Sequence, residues 1–320
     1  MADDLPDALA DNLAALLVQA KEFQQASRAP STRRGYSGDF RQFRSWCEMH
    51  DCSALPATVE TVMAYFTAKV RKGWKVATII RTRSAIAKAH DLAELPSPTR
   101  SAAVAELVAG IKRTIGSEPK RKLALATVDL RAMIESLPTR GALRAKRDKA
   151  ILLLGFAGAL RRSEICGLTV DDLIWSEKGL VLRIRGAKGD RENAGQRVAV
   201  PRGRSGDVCP VAAVREWLAA ASIDKGPVFR PLVFDDEVEN GPLAPQMVGA
   251  LVKKAGKAIG LDPKALGGHS LRRGMATEAA RRQVPLVRLR QHLRHKSVAA
   301  TMPYIEDEEA FANNPAADLL

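Results

Sequence analysis

Residues 117–127, SEPKRKLALAT, are polar, basic and broken by Pro119. A stretch of this kind reads as a joint, and it constrains the chain to two units connected by a linker at residues 117–126. The length of 320 residues agrees, since it exceeds what one ordinary core holds. Residues 1–116 read as helices throughout. Leu9, Leu13, Leu16, Leu17 and Phe23 fall at helical spacing over residues 8–26. Ser31 and Thr32 offer N-caps to a segment reaching His50, with Tyr36, Phe40, Phe43 and Cys47 on one face. Residues 57–71, 76–92 and 98–115 predict three more helices, set apart by Gly73, Pro96 and Pro98. In residues 127–320, helices at about 127–137 and 145–159 precede a strand, GLVLRIRG, a polar loop, AKGDRENAG, and a second strand, QRVAVP. Helical patterns resume at about 209–222, 245–259, 270–282 and 285–293. The expected class is mainly α with a small β-sheet in the second unit, an α+β chain.

Charge narrows the partners. There are 50 Lys and Arg against 36 Asp and Glu, a formal balance of +14 that favours a polyanion. The surplus is spread, with +4 in residues 1–116, +2 in residues 117–122 and +8 beyond, so both units and their joint can face such a partner. Cys47, Cys52, Cys166 and Cys209 show no CxxC spacing, which predicts reduced thiols rather than a zinc site or a disulfide framework. No apolar run is long enough to span a bilayer, and the acidic start MADDLPDALA lacks a basic n-region, so a cytosolic protein without a membrane partner is expected.

Five short elements of the second unit carry chemistry. GALRRSEI holds Arg161 and Glu164 three apart; RGAKGD holds Lys188; HSLR places His269 and Arg272 on one helical face; LRHKS holds His295; MPYIED holds Tyr304. Each alone has an ordinary reading: a helix ion pair, an exposed turn lysine, a solvated HxxR pair, a half-buried tyrosine. His292 and His295 come with no HExxH pattern, so no metal is expected.

In this order and spacing, with Tyr304 nine residues after His295, the set resembles the tyrosine recombinase (phage integrase) family. The segment STRRGYSGDFRQFRSWC and the GHS…R…Y spacing are most similar to its Cre-like members. The resemblance implies a helical core-binding domain at 1–116 and a catalytic domain at 127–320, a two-domain clamp around double-stranded DNA. It also implies inverted-repeat target sites, a homotetramer on DNA, and neither cofactor nor metal. It implies Tyr304 as nucleophile, Arg161 and Arg272 as a guanidinium clamp on the nonbridging oxygens, and Lys188 as the acid for the leaving 5′-oxygen. His269 would assist Tyr304 or bond the phosphate, His295 would hold a nonbridging oxygen, and Glu164 would orient Arg161 and His269. Planar guanidinium groups suit an oxyanion that gains charge in the transition state. Pro303 departs from a regular pattern: it lacks an N–H and biases Met302 away from helix.

The expected DNA contacts are Arg33, Arg34, Arg41 and Arg44 near the second helix, and Lys75, Thr78, Arg81 and Arg83 near the fourth. Gln246, beside Pro245 at a helix start, is a candidate for the major groove. The tail at 310–320, with Phe311, Leu319 and Leu320, is expected to dock on a neighbouring protomer. Two other readings share these residues: a type IB topoisomerase, and a noncatalytic DNA-binding regulator.

Overall fold

The structure, a computed structural model, describes residues 16–20, 23, 30–116, 121–138, 142–185, 195–203, 205–234 and 237–305. The chain divides into two compact units, Met1–Lys120 and Arg121–Leu320. The helix expected at 8–26 lies largely outside the described residues; 16–20 are helical.

The first unit consists, among the described residues, of α1 (Pro30–Glu48), α2 (Val59–Arg71), α3 (Val76–Leu92), a 3₁₀ turn (Pro98–Arg100) and α4 (Ala102–Ile115). Because α1 begins at Pro30, Ser31 and Thr32 sit in its first turn and not ahead of it as caps. Thr58 and Ser101 do cap α2 and α4, each accepting a main-chain N–H from the third residue on. Phe43, Trp46, Tyr65 and Phe66 fill the centre, with Phe43 and Trp46 set edge-on to the Tyr65 ring at 5.0 and 5.2 Å. His90 is buried with both ring nitrogens engaged: Nδ1 donates to the Ile86 carbonyl (2.9 Å) and Nε2 accepts from the Ala57 N–H (3.0 Å).

The second unit runs α5 (Thr127–Glu135), α6 (Ala142–Ala157), α7 (Arg162–Gly167), β1 (Leu173–Ser176), β2 (Gly179–Ile184), β3 (Gln196–Pro201), α8 (Pro210–Ala220), β4 (Leu232–Val233), β5 (Glu237–Val238), α9 (Pro245–Ala258), α10 (His269–Arg281) and α11 (Leu286–Leu293). β1–β2–β3 form an antiparallel sheet in which Leu182 faces Leu173 on one side and Val198 on the other. Leu180, Leu182, Ile184, Val198 and Val200 alternate into the core. β1 was not foreseen: four residues, LIWS, after an acidic 3₁₀ turn are too short for an alternation to show. Gly155 on α6 lets Ile165 of α7 and Leu271 of α10 come so close that a Cβ there would meet each at 2.9 Å. That packing seats α7 and α10 on the same point of α6, and their N-terminal ends carry the arginines below.

Residues 117–120 of the expected linker lie outside the described residues. Residues 121–126 belong to the second unit and are stitched along α10 and the loop before it. Leu123 N–H donates to Ala265 (2.8 Å), Lys122 Nζ to the Lys264 carbonyl (2.6 Å), and Arg273 to the Lys122 carbonyl (2.9 Å). Leu125 is fully buried against Gly274, where a Cβ would lie 2.1 Å from its carbonyl oxygen.

Candidate active site

Arg161 is the N-cap of α7, delivered by the turn that closes α6 at Gly158 and Ala159. Its guanidinium pairs with Glu164, and Glu164 Oε2 also accepts the Arg161 main-chain N–H (2.8 Å), a capping arrangement that fixes both residues. Oε2 accepts as well from Arg294 Nη2 at 2.7 Å. Burial pulls the Glu164 carboxyl upward, but Arg294 and the main-chain and guanidinium N–H groups of Arg161 outweigh it and hold the group below its ordinary value.

Arg272 projects from the first turn of α10, three residues after His269, which stands exposed at the start of the same helix. Its side chain is buried; Nη1 donates to the Ala159 carbonyl at 2.7 Å and Nη2 to the Leu293 carbonyl. Burial, then the neighbouring Arg161 and Arg294, bring its pKa down to about 10. Three guanidinium groups, those of Arg161, Arg272 and Arg294, thus gather around one carboxylate, that of Glu164.

His295 follows immediately after α11. Its Nδ1 lies 2.9 Å from the buried Thr301 hydroxyl, and its ring stacks on Tyr304 at 6.1 Å between centroids. Burial, Arg272, Arg161 and Arg294 push its pKa down to about 4, so at neutral pH the imidazole is uncharged. Tyr304 sits in a helical turn, residues 302–305, with its N–H donating to the Thr301 carbonyl (3.0 Å). Met302 is helical despite the proline after it: at the second residue of such a short turn, Pro303 is not asked for an N–H. A cavity of about 430 Å³ adjoins His295 and is lined by Arg197, Arg290, Arg294 and Lys296 among others.

The structure therefore brings Arg161, Glu164, Arg272, His295 and Tyr304 together. Lys188 and the tail at 310–320 lie outside the described residues. Arg294 and Thr301 were missed. An arginine at a helix end reads only as a charge suited to the last turn, and nothing in LRHKS shows that its backbone turns left-handed there, at φ +56°. Of the expected DNA contacts, Arg34, Arg41 and Lys75 are exposed, Arg33 is exposed in α1, and Thr78 is half-buried on α3. Gln246 is exposed in the first turn of α9, behind Pro245. Arg44 faces Glu48 one turn on (3.6 Å). Arg81 makes a two-pronged bond with buried Asp39 (2.7 and 2.8 Å), and Arg83 donates to the Thr99 carbonyl (2.9 Å), so both are tied into the first unit. Among the described residues no helix is long and apolar enough to cross a membrane.

Residues 125–310 match the profile of the phage integrase family, and the chain belongs to that family. It is 32% identical to the integrase/recombinase xerD homolog of Selenomonas ruminantium, over 97% of this chain and 91% of that one. It is 27% identical to the tyrosine recombinase XerC of Mycobacterium sp. (strain KMS), over 88% and 89%. These relatives are of XerC and XerD type, which corrects the narrower likeness to Cre. Among solved structures, a lambda integrase tetramer bound to a Holliday junction matches at a TM-score of 0.61 with 17% identity, covering 92% of this chain and 78% of that one. The Tn1549 transposon integrase in complex with transposon right end DNA matches at 0.60 with 17% identity, covering 93% and 98%. The likeness in these two is one of fold.

Proposed function

We propose that this chain is a site-specific recombinase that cuts and rejoins duplex DNA through a 3′-phosphotyrosine on Tyr304, acting in the cytosol as a homotetramer on two inverted-repeat sites. The observation that carries the reading is the charge count at the site: among the described residues, three clustered guanidinium groups face one carboxylate beside Tyr304. Such a cluster is short of negative charge, and a phosphodiester gaining charge on its nonbridging oxygens supplies it.

In this reading Tyr304 Oη attacks phosphorus, a P–O(Tyr) bond forms, the P–O5′ bond breaks, and Lys188 protonates the departing 5′-oxygen. Arg161 and Arg272 hold the nonbridging oxygens; two of the five Arg272 N–H groups are already spent on main-chain carbonyls, which fixes the plane of the rest. The tautomer in which the Thr301 hydroxyl donates to Nδ1 is the one in which neutral His295 carries its proton on Nε2 and can give it to a phosphate oxygen. His269 bonds the phosphate or takes the Tyr304 proton. Because the phosphotyrosine conserves the broken bond, a 5′-hydroxyl from the partner duplex reverses the step without ATP. No metal is required where the guanidinium groups carry the charge. The helical first unit grips phosphates through Arg34 and Arg41, and the tail at 310–320 links protomers in the tetramer; a lambda integrase of like fold is a tetramer bound to a Holliday junction.

The test is a nicked suicide substrate carrying a site recovered from the native host. Wild-type chain gives a covalent protein–DNA adduct; Tyr304→Phe binds the DNA and gives none. An adduct that survives this substitution removes Tyr304 from its role. Strand exchange between two sites, rather than relaxation of one supercoiled duplex, separates the recombinase from a topoisomerase.

A further inference from the structure

Arg294 ends α11 with a left-handed backbone, φ +56° and ψ +42°. For a residue with a Cβ this conformation is unfavourable, and glycine is the ordinary occupant of such a helix end. An arginine there needs a reason in its side chain.

The side chain supplies one. It is almost wholly buried, and all four terminal N–H directions are used. Nη1 donates to the Gly158 carbonyl (3.1 Å) and the His292 carbonyl (2.9 Å). Nη2 donates to the Ala159 carbonyl (3.0 Å) and to Glu164 (2.7 Å). Three of these acceptors surround Arg161: the turn that delivers it, Gly158 and Ala159, and the carboxylate that holds its guanidinium. The fourth belongs to the helix end that delivers His295. Ala159 is itself left-handed, at φ +45°, and its carbonyl also receives Arg272. The buried guanidinium thus touches the supports of Arg161, Arg272 and His295 together; its four terminal N–H groups are all used, and its Nε–H is buried without a partner among the described residues.

We propose that Arg294 is a positioning residue: it locks the Gly158–Ala159 turn and Glu164 to the end of α11, and so sets Arg161 and His295 at the spacing that the phosphate requires. The proposal rests on the recombinase reading above. It assigns Arg294 to the placement of the catalytic groups and not to substrate contact, so its loss leaves DNA binding in place and slows strand cleavage.

Two variants test it. Arg294→Gly suits the left-handed backbone and removes the guanidinium, leaving a space of its size; Arg294→Lys keeps one positive charge but cannot reach four acceptors. Both are compared with wild type for thermal unfolding, for affinity in a gel-shift assay, and for single-turnover adduct formation on the suicide substrate. The expected result is a folded Arg294→Gly chain with wild-type affinity and cleavage slowed about 100-fold, the usual cost of displacing a reacting group by an ångström. Methylguanidine added to Arg294→Gly restores part of the rate, whereas it does nothing for Arg294→Lys, whose own side chain fills the space. Cleavage by Arg294→Gly within about threefold of wild type overturns the proposal, since that is far below the loss a misplaced group produces. Cleavage that falls only in step with unfolding, in both variants and without recovery by methylguanidine, also overturns it and leaves Arg294 a role in stability alone. If wild type itself forms no adduct, the recombinase reading falls and this one with it; a wild-type adduct with unaffected variants removes only the positioning role.

Discussion

Replacing Glu164 with Gln removes the carboxylate that Arg161 and Arg294 share. The side chains are 4% exposed for Glu164, 3% for Arg294 and 17% for Arg161, so water compensates little of the loss. Removing one partner of a buried ion pair costs about 3–5 kcal/mol. The Gln amide oxygen can still accept one of the bonds while its NH₂ faces donors, which puts the expected loss near the lower end, about 3 kcal/mol. In a unit of roughly 200 residues each kcal/mol moves the midpoint by about 2–4 °C, so Tm falls by about 6–12 °C. The assay is thermal unfolding by circular dichroism at pH 7 and at lower pH. Because the Glu164 carboxyl is held below its ordinary value in the folded chain, its contribution is complete above the unfolded pKa and is lost as pH falls through the folded one. The gap between wild type and variant is therefore constant from about pH 6 to 8 and narrows as pH falls below the ordinary carboxylate range. A shift under about 2 °C at pH 7, or a gap that widens in acid, refutes the claim that this carboxylate holds the site together.

Gly274→Ala sets a Cβ against the Leu125 carbonyl and should cost about 2–3 kcal/mol in urea unfolding, with the midpoint lowered; an unchanged midpoint means residues 121–126 are not fixed on α10. Arg34→Gln and Arg41→Gln should each lower the slope of log affinity against log salt by about 0.9, while Arg81→Gln lowers the stability of the first unit by stranding Asp39. Titration followed by NMR should find the His295 ring charging near pH 4, well below the ordinary 6.5. Its folded pKa being depressed, the unfolded chain binds that proton first, so stability drops as pH falls from about 6.5 towards 4; a ring that titrates at 6.5 contradicts the site as described.

Much of this was legible beforehand because it rests on local rules. The helices of the first unit follow the spacing of Phe43, Tyr65, Ile79 and Val104, and the β2–β3 pair follows two apolar runs set either side of a polar stretch. Arg161, Arg272, His295 and Tyr304, singled out by motif order and spacing, lie close together in the structure. What escaped depends on tertiary placement. Leu125 looked like part of a linker because three basic residues precede it, and only Gly274 on a distant helix explains its burial. Arg81 counted as a free cation until folding brought Asp39, 42 residues away, within 2.7 Å. Arg294 carries no local mark, since the carbonyls that define it come from Gly158 and Ala159, more than a hundred residues upstream.

The unequal charge count at the site makes the ligand a folding partner. Three guanidinium groups held near one carboxylate repel one another, and burial first, then repulsion from Arg161 and Arg294, make Arg272 hold its proton less tightly than an arginine in water. That repulsion makes the second unit less stable than its packing alone allows. Any tetrahedral oxyanion that seats among the arginines adds RT ln(1 + [L]/Kd) to unfolding, about 2.7 kcal/mol at one hundred times Kd. Sulfate or phosphate in the buffer then acts at once as a stabiliser and as a competitor of DNA. A preparation that melts higher in such a buffer is also one whose site is already occupied.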